Sequence, residues 1–153
     1  MAGKVLAKDI MTKEVITVNA DDTIEKVAQL MLNHHVSGMP VVDGEGKLVG
    51  IISEGDLLIQ DKEIKAPAMT VFLGGIIYLE NPSRFNKELK RIIALKVSEL
   101  MSQKVYSVGP EDPIEKVIKI MSEKEVNRVP VLDDNKRVLG IISRQDIIKA
   151  THS

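Results

Sequence analysis

The chain repeats itself once, at a fixed offset of 90 residues and without gaps. When residues 11–58 are laid over residues 101–148, 18 of the 48 positions are identical. The most distinctive shared block is Gly-Ile-Ile-Ser-x-x-Asp, which occurs at residues 50–56 and again at 140–146. An internal repeat indicates that each copy is one supersecondary unit that buries its apolar face on its twin. The chain is therefore constrained to fold as two similar halves.

Each copy predicts the element order strand, helix, strand, strand, helix. Apolar residues at i, i+3, i+4 and i+7 lie on one face of the first helix of each copy. These residues are Ile24, Val27, Ala28 and Met31, and then Ile114, Val117, Ile118 and Met121. The predicted strands are Val15–Val18, Met39–Val42 and Leu48–Ile52 in the first copy, with Val129–Leu132 and Val138–Ile142 in the second. The expected fold class is α/β (α+β).

The predicted helix starts carry capping signals. Asp22 is expected to cap the first helix, with Glu25 three residues later completing a capping box. Asp112 is expected to do the same in the second copy, with Pro113 at the first helical position. A further helix is expected to begin at the serine of each Ser-x-x-Asp block.

The repeat divides the chain into three parts. The first repeat is expected over residues 7–58 and the second over residues 97–151. The connecting segment, 59–96, has no counterpart, and its apolar and polar pattern predicts a helix near 82–95.

Composition excludes several classes of protein. A net charge of −1 gives no field that would attract nucleic acid or an acidic membrane. The longest apolar run, Met69–Leu79, falls well short of the roughly 20 residues that span a bilayer. With no cysteine, disulfides are excluded, and we expect a cytoplasmic protein. No catalytic arrangement or set of metal ligands stands out, so no enzyme, metal or cofactor is expected.

The repeated Ser-x-x-Asp block is open to two interpretations. It can be a capping box that only stabilises a helix start. It can also bind a ligand, because unpaired N–H groups and a serine hydroxyl suit a phosphate, and the carboxylate can accept bonds from ribose hydroxyls. Before the middle strand, the first copy has Gly38 where the second has Arg128. An arginine beside a helix start is a good phosphate ligand, although a solvated arginine is the simpler alternative.

Three motifs, each in order, resemble the CBS domain, the module named for cystathionine beta-synthase. They are Thr17-Val18-x-x-x-Asp22-x-Ile24, then Val36-Ser37-Gly38-Met39-Pro40-Val41-Val42-Asp43, then Gly50-Ile51-Ile52-Ser53-x-x-Asp56. Residues 97–148 resemble a second CBS domain. The resemblance covers about two thirds of the chain.

The resemblance implies a tandem pair with pseudo-two-fold symmetry, packed sheet to sheet, with two clefts between the copies. It implies a homodimer and a sensor of adenosyl ligands. We therefore expect an adenine-nucleotide-binding regulatory module that takes AMP, ADP or ATP. S-adenosylmethionine and cyclic dinucleotides are alternative ligands. The chain stops soon after the second copy, so we expect it to act on a separate regulated protein.

The resemblance to the regulatory gamma subunit of AMP-activated protein kinase implies two unequal sites. The stronger site would use Thr17, Val36, Ser37, Gly38, Asn127, Arg128, Ile142, Ser143 and Asp146. The weaker site would use Ile52, Ser53, Asp56, Ser107, Val126 and Asn127. Asn127 and Arg128 align with a His-Arg pair that meets phosphates in that family, so Asn127 leaves one cation fewer. The competing function is a structural or interaction module whose clefts stay empty.

Overall fold

The computed structural model describes residues 4–58 and 90–152. These residues form two compact units. The central unit comprises residues 16–43, 49–58 and 90–104, and the C-terminal unit comprises residues 4–15, 44–48 and 105–152. Each unit therefore combines segments that are distant in the sequence.

Helices and strands alternate along the described chain. In chain order they are α1 (Ala7–Ile10), β1 (Val18–Asn19), α2 (Ile24–His34), β2 (Gly38–Val42), β3 (Leu48–Ser53), α3 (Glu54–Leu58), α4 (Val97–Leu100), α5 (Ile114–Lys124), β4 (Arg128–Leu132), β5 (Val138–Ser143) and α6 (Arg144–Thr151). Residues 90–93 are also helical. The predicted mixed α/β fold class is confirmed.

The central unit is built on a three-stranded sheet with the order β1-β2-β3. β1 and β2 are parallel, and Val18 pairs with Val41. The apolar face of α2 that the sequence pattern predicts is buried in the core. The buried core consists of Val18, Ile24, Val27, Ala28, Met31, Met39, Val41, Ile52, Leu57, Ile92, Val97 and Leu100.

The C-terminal unit repeats this plan. β4 and β5 are antiparallel, and Val108 forms a single parallel bridge to Val131, which repeats the Val18–Val41 pair at the 90-residue offset. Its buried core consists of Ala7, Val108, Val117, Val129, Val131 and Ile142. Every one of these positions, shifted by 90, is also a core position of the central unit, so the sequence repeat is a repeat of core packing.

The segment that carries α1 belongs to the C-terminal unit. The backbone N–H of Thr12 donates to the carbonyl of Ile141 at 2.8 Å, and the N–H of Ile141 donates back at 3.0 Å. In the central unit, Ser102 after α4 exchanges the same pair of bonds with Ile51, at 2.8 and 2.9 Å. Each unit thus receives one short helix and one extended residue on the edge of its hairpin.

The compact units and the predicted repeats are different sets of residues. The predicted first repeat, 7–58, contributes α1 to the C-terminal unit, and the predicted second repeat, 97–151, contributes α4 to the central unit. Those repeat boundaries remain predictions about sequence. Of the connecting segment 59–96, residues 59–89 lie outside the described residues, and the helical residues 90–93 fall inside the predicted helix near 82–95.

The predicted aspartate caps are wrong. Helix α2 begins after Thr23, whose side chain accepts from the N–H of Lys26, and α5 begins after Pro113, which is the N-cap residue in an extended conformation. The carboxylate of Asp22 is used elsewhere, because it accepts from the N–H of Asn19 at 2.9 Å.

The carboxylate of Asp112 is engaged in the same way, by the N–H of Gly109 at 2.7 Å. This backbone bond, with the ammonium of Lys116 in support, holds the pKa of Asp112 below its ordinary value. Both aspartates therefore close the turn before the helix and leave the cap to the next residue.

The strand boundaries also shift. β1 is Val18–Asn19, whereas Val15–Val18 was the predicted strand. Only the residues that meet the end of β2 form ladder pairs, at Val18 and Asn19. The hairpin strands match their predicted positions, and each extends one residue further to include Gly38, Ser53, Arg128 or Ser143.

We predict that Gly140→Ala destabilises the C-terminal unit. A Cβ at this position would lie 2.5 Å from Sδ and 2.7 Å from Cγ of Met11. Overpacking of this kind costs about 1–3 kcal/mol, so the free energy of unfolding in urea should fall by that amount. Met11→Ala in the same chain removes those two atoms, so the double variant should lose less stability than the sum of the single losses.

Gly44→Ala is the matched control for the glycine substitution. A Cβ at Gly44 meets no atom within 4 Å, so this variant should change the unfolding free energy by no more than about 0.5 kcal/mol. An additive double variant would contradict the proposed contact between Met11 and Gly140.

Candidate functional site

The Ser-x-x-Asp block of the second copy opens α6 with a complete capping box. Ser143 is the N-cap residue, and its Oγ accepts from the N–H of Asp146 at 3.3 Å. In return, Oδ2 of Asp146 accepts from the N–H of Ser143 at 2.9 Å and from its hydroxyl at 3.1 Å. The capping interpretation is therefore present in the structure, and it occupies only one oxygen of the carboxylate.

The other oxygen, Oδ1, faces Thr12, which is not among the predicted site residues. The hydroxyl of Thr12 donates to Oδ1 of Asp146 at 3.2 Å and lies 3.3 Å from Oδ2. A signal for this residue exists in the sequence, because the repeat places a hydroxyl residue after the shared methionine in both copies, at Thr12 and Ser102. That signal could not indicate that the hydroxyl of Thr12 would meet Asp146.

The first copy's block is similar but less complete. Oδ2 of Asp56 accepts from the N–H of Ser53 at 2.8 Å and from its hydroxyl at 3.3 Å. The hydroxyl of Ser102 donates to the carbonyl of Lys104 at 3.5 Å. The hydroxyl that follows the shared methionine thus contacts a carboxylate in one copy, at Thr12, and a backbone carbonyl in the other, at Ser102.

In both units the loop before the middle strand is tied to the helix after the hairpin. The N–H of Glu54 donates to the carbonyl of Ser37 at 2.9 Å, and the N–H of Arg144 donates to the carbonyl of Asn127 at 3.1 Å. Each predicted loop residue is therefore fixed next to the Ser-x-x-Asp block of its own unit.

Arg128 is brought beside Ser143 by the antiparallel ladder. The two residues are direct cross-strand partners in the pairing of β4 with β5. Directly opposite residues have Cβ atoms about 4.5–5.5 Å apart, and Arg128 is half-buried. The Cβ of Arg128 thus lies next to that of Ser143, the residue that precedes α6.

The predicted site residues divide between the two units. Thr17, Val36, Ser37, Gly38, Ile52, Ser53 and Asp56 lie in the central unit, and Ser107, Val126, Asn127, Arg128, Ile142, Ser143 and Asp146 lie in the C-terminal unit. Within the C-terminal unit, the structure brings Asn127, Arg128, Ser143 and Asp146 together at the start of α6. The side chains of Ile52 and Ile142 are fully buried in the two cores, so only their backbone groups are available to a ligand.

An open groove of about 780 Å³ lies between α5 and α6 in the C-terminal unit. Its lining includes the apolar residues Ile118, Met121 and Ile148 together with Asn127 and Arg144. Ile118 and Ile148 are 41% and 55% exposed. The groove is thus an apolar helix face that borders the loop at Asn127.

Residues 4–58 and 90–152 contain neither a candidate metal site nor a membrane-spanning helix. No cluster of three or more histidine, cysteine, aspartate or glutamate residues there could hold a metal ion. No described helix is long and apolar enough to cross a membrane.

Residues 7–62 and 97–153 each match the family description of the CBS domain. The chain belongs to the CBS-domain family. As a CBS-domain pair it is a regulatory module, and the resemblance inferred from the repeated motifs is confirmed.

A curated relative is the Uncharacterized protein MJ1426 of Methanocaldococcus jannaschii, which is 32% identical over 152 residues, covering 95% of this chain and 90% of the relative. Some other relatives are much longer enzymes. The inosine-5'-monophosphate dehydrogenase of the same organism is 31% identical over 144 residues, and this CBS pair spans 23% of its length. The name inosine-5'-monophosphate dehydrogenase refers to the full-length enzyme and not to the segment that this chain matches.

Two solved structures resemble the chain closely. The CBS domain of a membrane protein from Sphaerobacter thermophilus has a TM-score of 0.81 and 32% identity, covering 95% of this chain and 87% of that one. The CBS domain pair of protein MJ0100, solved in complex with 5'-methylthioadenosine and S-adenosyl-L-methionine, has a TM-score of 0.70 and 28% identity, covering 97% of each chain.

Proposed function

We propose that this CBS-domain pair senses an adenosine-containing ligand, with AMP, ADP or ATP as the expected class. The observation that carries the proposal is the carboxylate of Asp146, whose capping box uses Oδ2, at a helix start where half-buried Arg128 is the cross-strand partner of Ser143. Ligand state would be reported to a separate regulated protein. The cytoplasmic location remains a prediction.

The ribose is the part of the ligand that Asp146 would recognise. An ionised carboxylate accepts hydrogen bonds only, with about four lone-pair positions on its two oxygens. A ribose offers two neighbouring hydroxyl donors, and hydrogen bonds to a charged group contribute about 1.5–3 kcal/mol each. Asp56 would serve the weaker site, with Ser53, Ser107, Val126 and Asn127 from the predicted set.

The phosphate is the part that would distinguish the two sites. A phosphate that leaves water needs a cation or several N–H donors. Arg128 supplies a forked cation next to Ser143, whereas the matching position in the first copy is Gly38. The site that includes Arg128 should therefore prefer phosphorylated adenosines, and the Asp56 site should discriminate less.

The comparison with protein MJ0100 supports an adenosine ligand in general terms. Both compounds named in that complex, 5'-methylthioadenosine and S-adenosyl-L-methionine, carry an adenosine group. They lack the phosphate for which Arg128 is suited, so they are the competing ligands in the experiments below.

Asp146→Ala is predicted to weaken AMP binding about tenfold while the protein still folds. The variant removes the charged acceptor for the ribose. Calorimetric titration of the purified full chain with AMP, ATP, adenosine, 5'-methylthioadenosine and S-adenosylmethionine measures the affinities. Asp56→Ala is the matched control and should leave the stronger site unchanged.

Thermal unfolding separates this function from simple helix capping. A ligand at 100 times its dissociation constant should stabilise the wild-type protein by about 2.7 kcal/mol. If Asp146→Ala unfolds at a lower temperature yet binds AMP as tightly as wild type, the carboxylate serves only as a cap. If none of the five compounds stabilises the wild-type chain, the pair is a structural or interaction module.

Arg128→Ala is predicted to abolish the preference for AMP over adenosine at the stronger site. Adenosine affinity should stay nearly unchanged, because the guanidinium addresses only the phosphate. Arg128→Lys should retain part of the preference, since it keeps the charge and loses the fork. Unaltered AMP affinity in Arg128→Ala, or two identical sites in wild type, would contradict this assignment.

We also propose that the chain is a homodimer. The exposed apolar groove between α5 and α6 supports this, because burying the side chains of Ile118 and Ile148 against a second copy would stabilise the dimer. Light scattering of the wild-type chain should give twice the monomer mass of 16.9 kDa. Ile148→Glu should shift the equilibrium toward monomer, whereas a wild-type mass of one chain at high concentration would rule the dimer out.

A further inference from the structure

Thr12 occupies a fixed position in the C-terminal unit. Its backbone exchanges two hydrogen bonds with Ile141, at 2.8 and 3.0 Å. The preceding residue, Met11, lies over Gly140, where a Cβ would be too close. The side chain of Thr12 is thus held by a backbone ladder, two residues away from Ser143 on the facing strand.

The hydroxyl of Thr12 shares the carboxylate of Asp146 with the capping box. Two donors from Ser143 meet Oδ2, at 2.9 and 3.1 Å, whereas Thr12 donates to Oδ1 at 3.2 Å. With three donors on about four lone-pair positions, the carboxylate has room for roughly one more. A ribose with two hydroxyls therefore needs a second acceptor close to Asp146.

Thr12 has the chemistry of that second acceptor. A hydroxyl that donates its proton to a carboxylate keeps two lone pairs on its own oxygen. Oγ1 of Thr12 and Oδ1 of Asp146 form a pair of acceptors 3.2 Å apart, a spacing suited to two hydroxyls on neighbouring carbons. Thr12 is exposed, so its oxygen is within reach of a ligand.

We infer that Thr12 is a further ligand-binding residue, which accepts one hydrogen bond from a vicinal diol while Asp146 accepts the other. This inference rests on the proposed adenosine site, and it adds a residue that binds the ribose hydroxyls. It also gives the N-terminal segment, which carries α1, a direct part in holding the ligand.

The first copy lacks this acceptor pair. Its equivalent residue, Ser102, directs its hydroxyl to the carbonyl of Lys104 at 3.5 Å, and Asp56 has bonds from Ser53. The repeat therefore supplies an internal control with the same residue chemistry at the same place in the sequence.

The test compares AMP with 2',3'-dideoxyadenosine monophosphate, which lacks both hydroxyls. Thr12→Val keeps the shape and removes the acceptor. It should weaken AMP binding roughly three- to tenfold, the loss of one hydrogen bond, and leave binding of the dideoxy compound unchanged. Thr12→Ser should retain wild-type affinity for AMP, and Ser102→Ala should leave the stronger site unaffected.

Three results would overturn the inference. Thr12→Val with wild-type or tighter AMP affinity would mean that the hydroxyl is idle or competes with the ligand. An equal loss for AMP and the dideoxy compound would mean that Thr12 acts only on the structure of the unit. A wild-type chain that binds no adenosine compound would overturn the proposed function as well, whereas either of the first two results would leave the proposed function intact.

Discussion

The two-way backbone bond between Thr12 and Ile141, with its repeat between Ser102 and Ile51, is the interaction on which each unit depends. It places a short helix on a hairpin edge, covers backbone groups that would otherwise be unpaired, and brings a methionine over a glycine in both copies. The core residues Ala7 and Val97 enter their units through these segments. Without the bond, each hairpin would lose an edge partner and each core would lose a side chain.

Much of this architecture can be predicted from the sequence repeat. The apolar helix faces and the hairpin strands follow from apolar periodicity, and the Ser-x-x-Asp helix starts follow from their capping signals. Ile118 on α5 is the exception, because it is 41% exposed although its position matches the apolar face. The exchange of α1 and α4 does not follow. Each short helix could pack on the copy that follows it in the sequence or on the other copy. The 90-residue offset is the same in both arrangements, so only tertiary contacts distinguish them. The sequence predicts caps at Asp22 and Asp112, whereas the helices are capped at Thr23 and Pro113. The reason is that each aspartate carboxylate accepts a backbone hydrogen bond within the preceding turn.

The candidate site illustrates a similar limit. Sequence motifs identify Ser143, Asp146 and Arg128, and the ladder and capping box bring them together. They do not identify Thr12, which is 134 residues away from Asp146 in the sequence. The structure also reconciles the two interpretations of the Ser-x-x-Asp block, because capping uses Oδ2 and leaves Oδ1 for other donors. A residue that stabilises a helix can therefore also take part in recognition.

The exchange of segments also sets the order in which the protein can fold during synthesis. The backbone of Thr12 is made early, yet its partner Ile141 is added about 130 residues later. The backbone of Thr12 therefore lacks this partner until the ribosome completes β5, and closing so long a loop then costs chain entropy. The central unit has no such delay past residue 104. Translation therefore completes the two compact units one after the other, and the unit that contains Asp146 is completed last.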